Sequence, residues 1–214
     1  MRHRRTWYGQ GWGWSKDDWK KFNKAQKKAA KRLRKAVKRL RRAAKDLSNG
    51  GKISRRTRRT LAQFAGAVGG SPSAADLKAT ANMLAASATA LADDGTLGYV
   101  ANSYGAEQWA IGMARSATAP AAANTATRTM LVNTSHPLFG PQPIRTDQTN
   151  EQVLTWMVGH ESLHNKPNSL EDQYFMGSRV YQYVDPARVW QLGATNPQLA
   201  IQNPDNILQF VFPW

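Results

Sequence analysis

The charged residues of this chain are distributed unevenly, and this limits the folds that it can adopt. Residues 1–60 carry 23 Lys and Arg against three Asp, a net charge of +20, whereas residues 61–214 carry a net charge of −4. Lys and Arg are almost never fully buried, so the first part must keep most of its surface in water. We therefore predict a basic arm over residues 1–60, joined to a mildly acidic domain over residues 61–214.

Within the arm, apolar and small residues recur at every third or fourth position, which is the repeat of one helix face. Asp17 and Asp18 favour a helix start beside Ser15, because negative charge interacts well with the N-terminal end of a helix dipole. Asn49 and Gly50 predict the helix end. The apolar stripe consists of Trp19, Phe22, Ala25, Ala29, Leu33, Val37, Leu40, Ala44 and Leu47.

The rest of this helix is basic, with 15 Lys and Arg in residues 16–45, and four interpretations of it stay open. It can bind nucleic acid through phosphate contacts, lie on an anionic membrane with nearby Trp side chains at the interface, or dock on a carrier protein. The fourth interpretation is a solvated helix that packs its narrow stripe on the rest of the protein. The sequence predicts no transmembrane segment and no signal peptide.

The remaining chain predicts a mainly helical α+β fold with a small sheet. Helix starts are read from capping residues, helix ends from Gly, Asn and Pro, and strands from β-branched residues. Helices are predicted over residues 71–91, 99–114 and 171–183. A loop is predicted over residues 116–125 and a strand over residues 127–133. A further helix starts at residues 149–151 and ends at 165–168, and the last helix is capped by Asn203 with Pro204 in its first turn.

The stretch VGHESLHNKPNSLEDQYFMG, residues 158–177, contains the spacing H-E-x-x-H in His160, Glu161 and His164. Residues four apart share one face of a helix, so both imidazoles can hold one zinc ion. Glu161 can accept a proton from the attacking water and return it to the leaving amine. The spacing arises by chance about 0.001 times in a chain of this composition. The competing interpretation is a helix with two surface histidines.

A third zinc ligand has to come from elsewhere, because Leu170 stands where the pattern H-E-x-x-H-x-x-G-x-x-H has its last His. The chain has no cysteine. Asp185 precedes a proline and predicts a turn, and Asp205 lies in the first turn of the last helix, where the helix dipole accounts for it. Glu171 and Asp172 lie just past the helix break. From the residues alone, both stay open as the third ligand.

Here the sequence resembles the aspzincin family, the group of deuterolysin and peptidyl-Lys metalloendopeptidase. In that family an Asp follows H-E-x-x-H in the pattern G-T-x-D-x-x-Y-G. This chain has the Asp, Tyr and Gly in the same order, at Asp172, Tyr174 and Gly177, without the Gly-Thr and with a shorter Asp-to-Tyr spacing. The C-terminal stretch NPDNILQF resembles the A-D-N-Y-x-x-F helix of the family, and the strand over residues 127–133 corresponds to an edge strand.

The resemblance covers residues 127–214 and implies a zinc-dependent endopeptidase with a zincin-like domain that acts on a protein or peptide. It implies that Asp172 is the third ligand and that Tyr174 stabilises the oxyanion. Glu171 keeps the carboxylate-x-x-Tyr spacing and is the rival ligand. Tyr181 or Tyr183 can supply the hydroxyl instead, and a core position is the competing interpretation of Tyr174.

Domains resembling this group also occur as C-terminal modules of bacterial toxins and secretion effectors, which implies export by a non-classical route. The alternative prediction is a protein of another class. In that alternative the basic arm binds nucleic acid or membrane, and the C-terminal domain is not catalytic.

Overall fold

The structure is a computed structural model that describes residues 14–50, 53–92, 98–101, 121–124, 129–165, 170–179 and 186–213. The described part is mainly helical with short strands, which confirms the predicted mainly helical α+β class. The helices are α1 (Lys16–Ser48), α2 (Arg55–Val68), α3 (Ala74–Ala92), α4 (Asn150–His164), α5 (Pro186–Thr195), α6 (Pro197–Ala200) and α7 (Pro204–Val211). The strands are β1 (Gly98–Ala101), β2 (Ala121–Asn124), β3 (Thr129–Val132), β4 (Tyr174–Phe175) and β5 (Ser178–Arg179), with a 3-10 turn at Pro137–Phe139.

The density of contacts within the chain divides it into two compact units. Unit 1 contains Met1–Lys31 and Ser87–Ser169, and unit 2 contains Arg32–Ala86 and Leu170–Trp214. Two of the three dividing points fall inside helices, in α1 and in α3, and the third lies between Ser169 and Leu170. The predicted boundary at residue 60 is a division of another kind, by charge, and it stays a prediction.

Helix α1 forms where the sequence predicts it. The Ser15 hydroxyl accepts a hydrogen bond from the backbone N–H of Asp18 at 3.0 Å and caps the first turn. Gly50 follows the helix with a left-handed φ of +63°. The apolar stripe is buried from Phe22 to Ala44, so it packs as part of the fold. None of the described helices is both long enough and apolar enough to span a bilayer.

The larger sheet has the order β1-β3-β2, with β1 parallel and β2 antiparallel to β3. Leu131 in β3 is paired with Val100 on one side and with Ala122 on the other. The strand predicted over residues 127–133 is therefore confirmed at β3. The expectation that it is an edge strand is wrong, because described strands flank it on both sides.

Two predictions next to β3 are wrong. Strand β1 occupies the start of the helix predicted over residues 99–114, and β2 lies in the loop predicted over residues 116–125. The sequence of β2 is Ala-Ala-Ala-Asn, and Ala favours helices. Pairing with β3 overrides that local preference. The rest of both predictions, residues 102–120, lies outside the described residues.

The helix predicted over residues 171–183 is wrong where the structure describes it. Strands β4 and β5 form an antiparallel hairpin in which Phe175 faces Ser178. The two loop residues, Met176 and Gly177, have φ of +50° and +77°. Positive φ at both positions is typical of the two-residue turns that match the twist of a hairpin, and a right-handed helix cannot pass through them. The end of the predicted helix lies outside the described residues.

In unit 1, helix α4 packs beside β2 and the 3-10 turn. The side-chain amide of Asn150 donates to the carbonyl oxygens of Gly140 and Gln142 at 3.2 and 2.7 Å. Its carbonyl oxygen accepts from the backbone N–H of Ile144 at 3.0 Å. These bonds tie the proline-containing loop to the start of α4.

In unit 2, helix α2 packs against α5 and α7. Phe64 of α2 and Phe210 of α7 are buried and meet edge to face, with ring centroids 5.3 Å apart. The Arg39 guanidinium lies over the Phe210 ring at 4.4 Å from its centroid. Burial lowers the pKa of Arg39, and the positive charge of Arg59 lowers this pKa further.

Candidate metal centre

Helix α4 carries the H-E-x-x-H motif, and its start is defined by a reciprocal pair of capping bonds. The Thr149 hydroxyl accepts from the backbone N–H of Gln152 at 3.2 Å, and the Gln152 side chain accepts from the backbone N–H of Thr149 at 2.8 Å. The helix is buried on all sides from Val153 to Leu163, which is typical of a helix inside a core. The predicted motif helix is confirmed.

His160 and His164 bring their rings together on α4, as their spacing predicts. Their Nε2 atoms lie 2.8 Å apart, and the rings are inclined at 72° with centroids 4.6 Å apart. One of these nitrogens must lack a proton for the contact to be a hydrogen bond. In a tetrahedral site with Zn–N bonds of about 2.0–2.1 Å, two nitrogens stand roughly 3.3 Å apart. The two rings therefore need to separate by about half an ångström to hold one ion.

Glu161 follows His160 on α4 and is only 8% exposed. Glu is among the residue types that are least often buried, so the burial of Glu161 between two histidines of the motif indicates a specific role. Its backbone carbonyl accepts a hydrogen bond from the side-chain amide of Asn165 at 3.1 Å. This bond closes the last turn of α4 and fixes the end of the helix that carries Glu161 and His164.

Asp172 is the predicted third ligand. The candidate group of ligands consists of His160 and His164, which belong to unit 1, and Asp172, which belongs to unit 2. Asp172 is half-buried, whereas its rival Glu171 is exposed. Two imidazoles and one carboxylate suit a catalytic zinc ion, which keeps its fourth position for water or substrate. The donor set fits zinc, and the assignment of the ligands stays a prediction.

The segment that carries Asp172 is held by a buried asparagine that the sequence predicts only as a helix cap. Asn203 precedes α7, but its side chain makes no capping bond to that helix. Its side-chain oxygen accepts from the backbone N–H of Gln173 at 3.3 Å. Asn203 is fully buried. It therefore positions the residue that follows the proposed ligand.

Asn206 supports this contact from the first turn of α7. Its side-chain oxygen accepts from the amide of Asn203 at 2.8 Å, and its own amide donates to the carbonyl oxygens of Ala67 and Val189 at 2.8 and 2.9 Å. It too is fully buried. Sequence reasoning missed this pair. The available signal was two asparagines three positions apart at the start of the last predicted helix, because buried amides have to be hydrogen-bonded.

Tyr174 lies on β4 and is 61% exposed, so a core position for this residue is wrong. Met176 in the adjoining turn is 74% exposed. The phenol is accessible from solvent, and its role at an oxyanion stays a prediction. The two other candidate phenols, Tyr181 and Tyr183, lie outside the described residues.

The remaining His and Asp candidates have other roles or lie outside the described residues. Nδ1 of His136 accepts from the backbone N–H of Leu138 at 3.2 Å and caps the 3-10 turn. Partial burial holds the pKa of His136 below its usual value, because the charged form is disfavoured. Asp205 is buried in the first turn of α7, where the sequence predicts it. His3 and Asp185 lie outside the described part of the chain.

Comparison with known proteins does not assign this chain to a family. No protein-family model matches the sequence, and neither a curated protein nor a solved structure is significantly similar to it. The resemblance to the aspzincins therefore rests on the motif residues, and the function has to be argued from the geometry of the candidate site.

Proposed function

We propose that this protein is a zinc-dependent endopeptidase. The observation that carries the proposal is the pair of Nε2 atoms of His160 and His164, 2.8 Å apart on one helix, beside the buried Glu161. Zinc bound at such a site acts as a Lewis acid on the peptide carbonyl and lowers the pKa of a coordinated water. The donor types and their spacing support a catalytic rather than a closed structural site.

Each residue has a separate task in the proposed reaction. His160 and His164 hold the ion as neutral imidazoles, and Asp172 adds the third bond and one negative charge. Glu161 takes a proton from the attacking water and passes it to the departing amine, so the peptide nitrogen leaves as a neutral amine. The Tyr174 hydroxyl donates a hydrogen bond to the carbonyl oxygen as that oxygen becomes negative.

The competing interpretation, a helix with two surface histidines, is disfavoured by burial. Surface histidines need neither contact with each other nor removal from water. His160 and Glu161 are each 8% exposed. Removing a carboxylate and an imidazole from water costs free energy unless polar groups or a cation compensate, so such clusters are typical of functional sites.

We further propose that the chain belongs to an aspzincin-like family and that residues 61–214 form a zincin-like domain. The proposed substrate is a protein or peptide. The order of Asp172, Tyr174 and Gly177 after the motif supports the family. A role as a toxin or effector module belongs to the same proposal. We also propose an anionic partner for the basic arm, which can be a nucleic acid, a membrane or a carrier protein. The exposed charge of α1 supports this partner.

Metal analysis of the purified full chain tests the proposal. We expect one zinc per chain in the wild type and in Glu161→Gln, and no stoichiometric zinc in His164→Ala. Glu161→Gln should lower the cleavage of a fluorogenic protein substrate by roughly 10²–10⁴-fold, because the proton acceptor is lost while the ligands remain. His136→Ala is the matched control, since it removes a histidine outside the group and should retain the metal.

Two results would contradict the proposal. One is a wild-type chain that carries no zinc and takes up none from a zinc solution. The other is full peptidase activity in Glu161→Gln. Comparing Asp172→Ala with Glu171→Ala decides between the two carboxylates, because only the variant that lacks the true ligand should lose zinc. If zinc is absent while the basic arm binds a polyanion, the alternative of a non-catalytic binding protein is correct.

A further inference from the structure

Helix α1 carries a continuous row of exposed basic side chains on the face opposite its buried stripe. Successive members are three or four positions apart, so they share one face of the helix. At 1.5 Å per residue the row is about 37 Å long. This basic row consists of Lys20, Lys24, Lys27, Lys31, Lys35, Lys38, Arg42 and Lys45, all of them exposed.

Little negative charge opposes the basic row. No acidic residue occurs in α1 between Asp18 and Asp46. Lys24 forms an ion pair with Glu151 at 2.5 Å, and Lys28, beside the row, bonds to the same carboxylate. For the other members, no hydrogen bond or ion pair occurs within the part of the chain that the structure describes. Seven cationic groups of the row thus remain available to an anionic partner.

Positive charge also accumulates in unit 2 around the second half of α1. Four arginines in the first two turns of α2 are exposed. One of them, Arg59, lowers the pKa of Arg39 in α1 by like-charge repulsion, after the larger effect of burial. Such repulsion is relieved when a polyanion binds nearby. The charge pattern therefore fits a ligand with many closely spaced negative groups.

The packing of α1 distinguishes between polyanions. A helix that binds a membrane surface inserts its apolar face among the lipids, but Phe22, Leu33 and Leu40 are buried in the fold with 0% exposure. Single-stranded nucleic acid is bound by stacking bases on exposed aromatic rings. Among the described residues, the exposed large apolar side chains are Tyr174, Met176 and Trp190, and none of them lies on α1.

The amide side chains of α1, which are suited to reading bases, do not belong to the row. Asn and Gln recognise base edges through their amides. Gln26 is buried and donates to the backbone carbonyl of Leu91, and Asn23 is half-buried. The exposed face offers ammonium and guanidinium groups, which bind phosphates and carry no sequence information by that contact.

We propose that the basic row binds double-stranded nucleic acid through its phosphates, without sequence preference. A duplex carries one negative charge per about 1.7 Å of its axis, so the row faces roughly one helical turn of closely spaced phosphates. About six contacts then form, and each releases condensed counterions. This activity is independent of the proposed metal site.

Fluorescence anisotropy with the full chain and two labelled DNA duplexes of unrelated sequence tests the proposal. We expect equal affinity for both duplexes and a slope of log K against log salt near −5, from about six contacts. The triple variant Lys31→Gln, Lys35→Gln and Lys38→Gln should reduce the steepness of this slope by roughly 3 and weaken binding about 100-fold at about 0.1 M salt.

Two control variants separate the row from the overall charge. Replacing the same three lysines by arginine keeps the cations and should preserve affinity. Replacing Arg55, Arg56 and Arg58 of α2 by glutamine removes as much charge from outside the row, and the loss should be several-fold smaller. Glu161→Gln should bind the duplexes as the wild type does, so failure of the metal site leaves this test unaffected.

Three results of the duplex measurements would overturn the proposal. They are a wild-type affinity that does not change with salt, an equal loss in the α2 arginine variant, and a marked preference between the two duplexes. Vesicles with about one third phosphatidylserine serve as the comparison ligand, because a basic surface is also drawn to anionic lipid. Binding to these vesicles without binding to duplex would assign the row to membranes instead.

Discussion

At position 69 the chain can accommodate no side chain. Gly69 follows α2 with a φ of +79°, and a Cβ atom placed there would lie 1.7 Å from the carbonyl oxygen of Gly193 in α5. Residues other than glycine rarely adopt such a φ. The contacted oxygen belongs to the backbone, so the clash cannot be relieved by a change of side-chain rotamer. The close approach of α2 and α5 in unit 2 therefore depends on a missing side chain.

Gly69→Ala should lower the free energy of unfolding by roughly 2–5 kcal/mol, from the strained φ and the displaced backbone of Gly193 together. Urea unfolding followed by circular dichroism measures this change. Gly66→Ala is the matched control, because Gly66 lies inside α2 with nothing within 4 Å of its added Cβ. It should stabilise the protein by about 0.5–1 kcal/mol, since alanine favours helices. Equal effects at the two positions would contradict this account.

Among the elements, α4 and α7 contribute to the candidate site in different ways. Helix α4 is delimited by its own caps and presents His160 and His164 by periodicity alone. Helix α7 contributes Asn206, which supports the Asn203 side chain just before that helix, and Asn203 holds the backbone beside Asp172 through Gln173. A ligand on an irregular segment needs such support, because partners that orient a ligand strengthen metal binding.

Asn203→Ala should weaken zinc binding roughly 10–100-fold while the chain stays folded, because the segment carrying Asp172 loses its anchor. Competition with a fluorescent zinc chelator measures the affinity. Asn196→Ala is the matched control, since Asn196 caps α6 by accepting from the N–H of Leu199 at 3.1 Å. It should leave zinc affinity unchanged. Equal zinc affinities in the two variants would show that Asn203 does not support zinc binding. Absence of zinc from the wild type would instead refute the proposed function itself.

A chain that holds zinc only when it is folded must gain stability from the metal. At a free zinc concentration about 100 times its Kd, the gain is about 2.7 kcal/mol. We expect zinc to raise the thermal midpoint of the wild type, chelation to reverse the rise, and His164→Ala to show neither effect. Magnesium is the control ion, because it prefers oxygen ligands and should leave the midpoint unchanged. An equal rise in His164→Ala would place the metal elsewhere.

The features whose physical cause is local can be predicted from the amino-acid sequence. The apolar repeat of α1, the caps of α4 and the proline at the start of α7 act within one or two turns of a helix. His160 and His164 meet because they lie on one helix face, so their contact follows from the spacing in the chain.

Other features depend on residues that are distant in the sequence, and they become visible in the folded chain. Strand β2, with its alanines, becomes a strand through pairing with β3, and β3 is central because β1 joins its other side. Asn203 and Asn206 have their roles because a buried amide must find partners, here on Gln173, Ala67 and Val189. Such pairings depend on which backbone groups the fold brings close to the strand or the amide. A local pattern of residue types therefore does not predict them.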